Sequence, residues 1–172
     1  MLGVDDEPVL NHEGVHRVVL QHNACYQTTE WALYGLDGEP VFHLSRRAHL
    51  WQYDFDDRGH VAETRYLDTK RQPTSGGDYG CATERYVHDD DGDLTDMACL
   101  GPDGTAAIFK GSRFAKVSWQ HRDGLPIEQT NRGVSDELVE VMASRRAVPR
   151  VGRPCLGACF ESGGSTPTES RP

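Results

Sequence analysis

The stretch "WQYDFDDRGHVAETRYLD", residues 51 to 68, decides the fold class. Trp51, Tyr53 and Phe55 alternate with Gln52 and Asp54, the period-2 pattern of a half-buried strand. Asp56-Asp57-Arg58-Gly59 then supplies turn formers, with Gly59 free to take a positive φ. A return strand from about His60 to Leu67 follows. The segment predicts a β-hairpin.

Sliding it along the chain exposes a repeat of 33 residues. Leu20, Tyr53, Tyr86 and Trp119 share one phase, and two positions on the same offset relates His22, Phe55, His88 and His121. Gly59 maps to Gly92, and to Gly124 after a one-residue deletion; Glu30, Glu63, Asp96 and Glu128 form an acidic column. Trp31, Thr64 and Met97 share a return-strand column, and Leu33, Tyr66 and Cys99 another. A second landmark, "LGVDDEPVL" (2–10), "YGLDGEPVF" (34–42), "LDTKRQPT" (67–74) and "LGPDGTAAI" (100–108), places Pro8, Pro40, Pro73 and Ala106 at one position of the connecting segment. Because an isolated hairpin is marginal in water, the units must pair side by side or stack. The expected fold is all-β: an antiparallel β-hairpin repeat array of four units over residues 1–133, built as a meander or coiling sheet. The array starts in mid-unit, so residues 1–10 are expected to be frayed or packed on an edge.

Beyond residue 133 the pattern changes. "SDELVEVMASRR" carries an N-cap at Ser135, acids in its first turn and arginines at its end, which predicts a short capping helix within residues 134–147. Residues 148–172, rich in Pro, Gly and Ser, read as a disordered tail.

Composition excludes several classes. The formal charge of -9 repels polyanions, which sets aside nucleic acid and anionic membrane as partners. No leader-like N-terminus and no long apolar run occurs, so the chain as written reads as cytosolic, or extracellular if it is a portion of a longer exported protein. Five cysteines (25, 81, 99, 155 and 159) without framework spacing suggest reduced thiols.

Candidate sites are sparse. Column mates among His22, His88 and His121 should lie at least about 10 Å apart, too far to share an ion. "HDDDGDLTD" (88–96) lacks the Gly and Glu positions of a calcium loop, and Cys155-x3-Cys159 lacks a second ligand pair. Gly-x-Ser-x-Gly and phosphate-loop motifs are absent. No catalytic residue, metal ligand or cofactor site is assigned. The acidic column reads mainly as structural, with a recognition stripe or cation binding as alternatives. The remaining candidates for contact are Trp31, Tyr34, Glu30, Glu63, Asp96 and Glu128.

Tyr53 to Val61, "YDFDDRGHV", resembles the aromatic-Asp-x-x-Gly-x-apolar core of bacterial YD/RHS-type repeats, with weaker matches at 88–94 and 121–125. The resemblance implies β-strand repeats that build sheets or shells in surface and toxin-delivery proteins, and that are not themselves catalytic. The expected function is a structural or binding module, part of a larger bacterial repeat protein, offering an extended surface to a protein or glycan or to neighbouring repeats. A remnant of an RHS-like shell, or a hydrolase or metal-dependent enzyme with a site assembled across repeats, are the alternatives.

Overall fold

The computed structural model describes residues 5–140. Eight strands run β1 (Arg17–His22), β2 (Thr28–Tyr34), β3 (Leu50–Phe55), β4 (Val61–Leu67), β5 (Thr83–His88), β6 (Leu94–Leu100), β7 (Lys116–Arg122) and β8 (Leu125–Arg132). They form one antiparallel sheet in chain order, a plain meander.

The 33-residue phase of the sequence is the register of the sheet. Leu20 faces Trp31, Tyr53 faces Thr64, Tyr86 faces Met97 and Trp119 faces Gln129 across their hairpins. Each hairpin carries an irregularity at the same place, before His22, Phe55, His88 and His121.

The hairpin turns follow from one side chain each. Asn23, Asp56 and Asp89, again 33 apart, each accept at Oδ1 the amides two and four residues on, at 2.8 to 3.0 Å. Short polar side chains that bond their own backbone start such turns. The left-handed position that closes the turn is Gly59 at φ 87° and Gly92 at φ 82°. Tyr26 holds this position in the first hairpin at φ 59°. The deletion before Gly124 leaves a tight turn in which Asp123 and Gly124 both have positive φ, the geometry of a two-residue hairpin loop.

Connectors after β2, β4, β6 and β8 also repeat. Isolated bridges join Tyr34 to Pro40, Leu67 to Pro73, Leu100 to Ala106 and Arg132 to Leu138. The last of these corrects the expected capping helix over its described part. Gly133 N donates to Glu137 O at 2.9 Å, Asp136 sits at φ 63°, and residues 134–140 form the same turn and bridge as the earlier connectors. Pairing of Leu138 with the end of β8 satisfies backbone groups that a helix would use within itself. The rest of the expected helix and the expected tail, 141–172, lie outside the described residues. At the other end, residues 5–10 make one turn, with Asp6 at φ 60°, and a bridge at Pro8, and are largely exposed.

One face of the sheet packs beneath the connectors. Val15, Leu33, Ala48, Trp51 and Tyr66 form one cluster, and Cys81, Met97, Cys99, Phe109 and Val117 a second. Burial is deepest not at the Tyr53 column but two residues earlier, at Trp51, Glu84 and Val117, because the connectors fold over that end of the strands. The opposite face buries only a small patch of Ala32, Leu50 and Leu67. No helix among the described residues is long and apolar enough to cross a membrane.

The expectation of reduced thiols fails. Cys81 and Cys99 form a disulfide with Cα atoms 5.4 Å apart, and Cys25 is also disulfide-bonded. Cys81 ends the connector that enters β5, where neighbouring Ala82 bonds Tyr66 N on one side and Leu100 O on the other. That anchoring sets Cys81 over Cys99 on the packed face, a proximity invisible in their linear spacing.

Candidate functional site

Where the first two hairpins meet on the packed face, an open cleft of about 590 Å³ is lined by Val18, Leu20, Trp31, Tyr53, Phe55 and Val61. Gln27 Nε2 donates to Gly59 O at 3.0 Å and ties the two hairpin tips at its margin. Trp31 stacks on Trp51 with ring centroids 5.2 Å apart, and its Nε1 is buried without a hydrogen-bond partner. On β1 the cleft is lined by Val18 and Leu20, where the second hairpin carries the larger Trp51 and Tyr53.

The candidate residues fall on two faces. Trp31 lines the cleft. Adjacent residues of a strand point oppositely, so Glu30 and Tyr34 share the other face with Glu63, Asp96 and Glu128. Tyr34 is half-buried there, edge-on to His49 and under the Arg17 guanidinium at 4.9 Å.

The acidic column is knitted into the sheet. Glu30 accepts from Arg71 at 2.8 Å, from Gln52 at 3.1 Å and from Gln21 at 3.3 Å. Glu63 pairs with Arg65 and Arg85, each at 2.8 Å, and Asp96 with Ser118 at 2.7 Å and Lys116 at 3.0 Å. Burial alone would raise the pKa of Glu30, but the hydrogen bonds from Arg71 and Gln52 and the charge of Arg71 hold it below the usual carboxylate range. In Asp96 the same burial effect is outweighed by Ser118 and Lys116. Glu128, opposite Gln120, is exposed.

Two features escape the linear reading. Glu84 occupies the buried column of Trp51 and Val117, 2% exposed, and accepts hydrogen bonds from the hydroxyls of Tyr66, at 2.9 Å, and Tyr86. Burial pushes its pKa up despite those donors. A polar residue at a core phase of the repeat is the sequence signal that could have found it. The second lies at the hairpin tips. Asp56, His60 and His88 come together, as do Asp89, Asp93 and His121, and in each trio one ligand atom per residue lies within 4.8 Å of the others. These trios join different columns of neighbouring units, which comparison within a column does not reveal.

Compared with known proteins, the chain matches no family model, no curated protein and no solved structure.

Proposed function

We propose that the chain is a non-catalytic β-repeat module, YD-like and part of a larger bacterial repeat protein, that offers its β1 edge and the adjoining cleft to an extended protein strand. The observation that carries this reading is the contrast within one column. Trp51, Glu84 and Val117, each flanked by the strand of a preceding hairpin, are 2 to 4% exposed, whereas Val18 on β1 is 45% exposed. Inside the array that flank is supplied through three residue pairs, such as Glu30 to Gln52, Trp31 to Trp51 and Ala32 to Leu50. The equivalent outer positions of β1 are Arg17, Val18 and Val19. An edge strand with apolar side chains invites strand addition.

A protein strand suits the cleft better than a glycan, because its walls are mostly aliphatic and aromatic and sugar hydroxyls require polar partners. The buried Glu84 does not support an enzyme: the carboxyl is enclosed and bonded to two tyrosines of its own chain.

The test gives β1 a neighbouring strand. A chain with a second copy of residues 17–49 placed ahead of residue 17 should melt at higher temperature and protect the β1 amides from hydrogen exchange, since repeat arrays gain stability from each interface. Unchanged exchange in β1 would refute the proposal.

A further inference from the structure

We propose that Asp56, His60 and His88 form a binding site for a borderline divalent transition-metal ion, with zinc as the reference, that clasps the tips of the second and third hairpins. Three observations on this chain carry the assignment, and none depends on the cleft.

The first is position. Neighbouring hairpins pair through only three residues each, Glu63–Arg65 with Thr83–Arg85 in this case, so the ladder stops well short of the tips. Beyond it the tips are joined by side chains. Arg58 donates to Asp89 O at 3.1 Å and pairs with Asp90, and the His60 and His88 rings lie stacked with centroids 4.8 Å apart. Gly92 and His60 approach closely: a Cβ added to Gly92 would lie 3.0 Å from His60 Nε2.

The second is the state of the donors. Asp56 Oδ1 is held by the amides of Arg58 and His60, leaving Oδ2 3.2 Å from His60 Nδ1. His88 Nδ1 is buried and has no hydrogen-bond partner. Two imidazoles and one carboxylate suit zinc and its neighbours, with the fourth position open to water.

The third is recurrence. Asp89, Asp93 and His121 repeat the arrangement 33 residues on, and His121 Nδ1 is likewise buried and unpartnered. In the first unit the same positions hold Asn23, Gln27 and Phe55, and there Gln27 ties the tips by a hydrogen bond to Gly59 O instead. Tip-to-tip joining is thus common to the units, by an amide in one and by ligand-type side chains in the next two.

Donors on tetrahedral zinc lie about 3.3 Å apart, so ligands already within 4.8 Å need a ring rotation and a small contraction rather than a refolding of the turns. The experiment uses the tag-free full chain, disulfides intact, stripped with a chelator and carrying His121→Phe to remove the second trio. Zinc titrated in competition with a chromophoric chelator should bind with micromolar or tighter affinity. Cobalt should give the visible ligand-field bands of a low-coordinate site. His88→Phe and His60→Gln, both borrowed from the first unit's own sequence, should each weaken zinc at least about tenfold and abolish the cobalt bands while the far-ultraviolet spectrum stays β-rich. Absence of saturable binding up to about 100 µM zinc, or affinity that survives both variants, would overturn the assignment.

Discussion

The Tyr66 hydroxyl donates a 2.9 Å hydrogen bond to the Glu84 carboxyl inside the packed face, where the repeat elsewhere places Trp51 and Val117. Tyr86 donates to the second carboxyl oxygen. A core position in this unit is therefore polar, and its two donors depend on it.

Glu84→Ala should cost on the order of 2–4 kcal/mol, since two hydroxyls lose their acceptor and a cavity opens. Glu84→Gln keeps an acceptor and should cost less. The folded-state pKa of Glu84 is raised, so its contribution is fully present below the unfolded value of 4.5 and is lost as pH rises through the folded value. Urea midpoints of wild type and Glu84→Gln, measured at steps from pH 4 to 7, should show the wild type losing ground on the variant as pH rises. Parallel curves would mean that the carboxyl is not the titrating group.

His88 works in the opposite sense. Burial, then the neighbouring His60, sets its folded pKa below the ordinary 6.5 against the raising effect of Asp56 and Asp89. The unfolded chain takes up the proton first, so stability is lost as pH falls from about 6.5 toward the folded value. With chelator present, His88→Phe should flatten this acid limb of the stability curve between pH 7 and 5. A limb of unchanged steepness would assign it to other groups.

Reduction of Cys81–Cys99 opens a loop with a sequence separation of 18. Cys81→Ser should lower stability by about 3 kcal/mol on the loop-entropy view. Thiol labelling of the intact chain under denaturing conditions, read by peptide mass, should leave both cysteines unmodified unless a reductant is added.

Two substitutions in one column separate interior from edge. Trp51, 3% exposed and packed against Trp31, Tyr66 and His43, should cost about 3–5 kcal/mol on truncation to Ala. Val18→Ala, on the half-exposed β1 edge, should cost under about 1 kcal/mol. Equal losses by chemical denaturation would show that β1 is covered in solution.

Much of the fold was legible because its determinants are local. Side-chain alternation in 50–55, the Asp-x-x-Gly turns and the 33-residue phase act within one hairpin, and the return strand expected from about His60 to Leu67 is observed as Val61–Leu67. The helix expected after Ser135 shows the limit of such signals. A good N-cap and acidic first turn were overridden by the connector's own pairing of Leu138 with Arg132. Local helix propensity is small beside a completed tertiary bridge.

The candidate sites divide in the same way. Sequence phase alone placed Glu30, Glu63 and Asp96 in one column, and Trp31 in another, since both follow from counting along a periodic chain. Which cations and amides saturate those acids, Arg71 from 41 residues away among them, was decided by the lateral packing of hairpins. So were the approach of His88 to Asp56 and His60, the joining of Cys81 to Cys99, and the burial of Glu84. Periodicity specifies what a strand presents on each face; contact between units depends on how the connectors fold across the sheet, and that is settled only when the whole array packs.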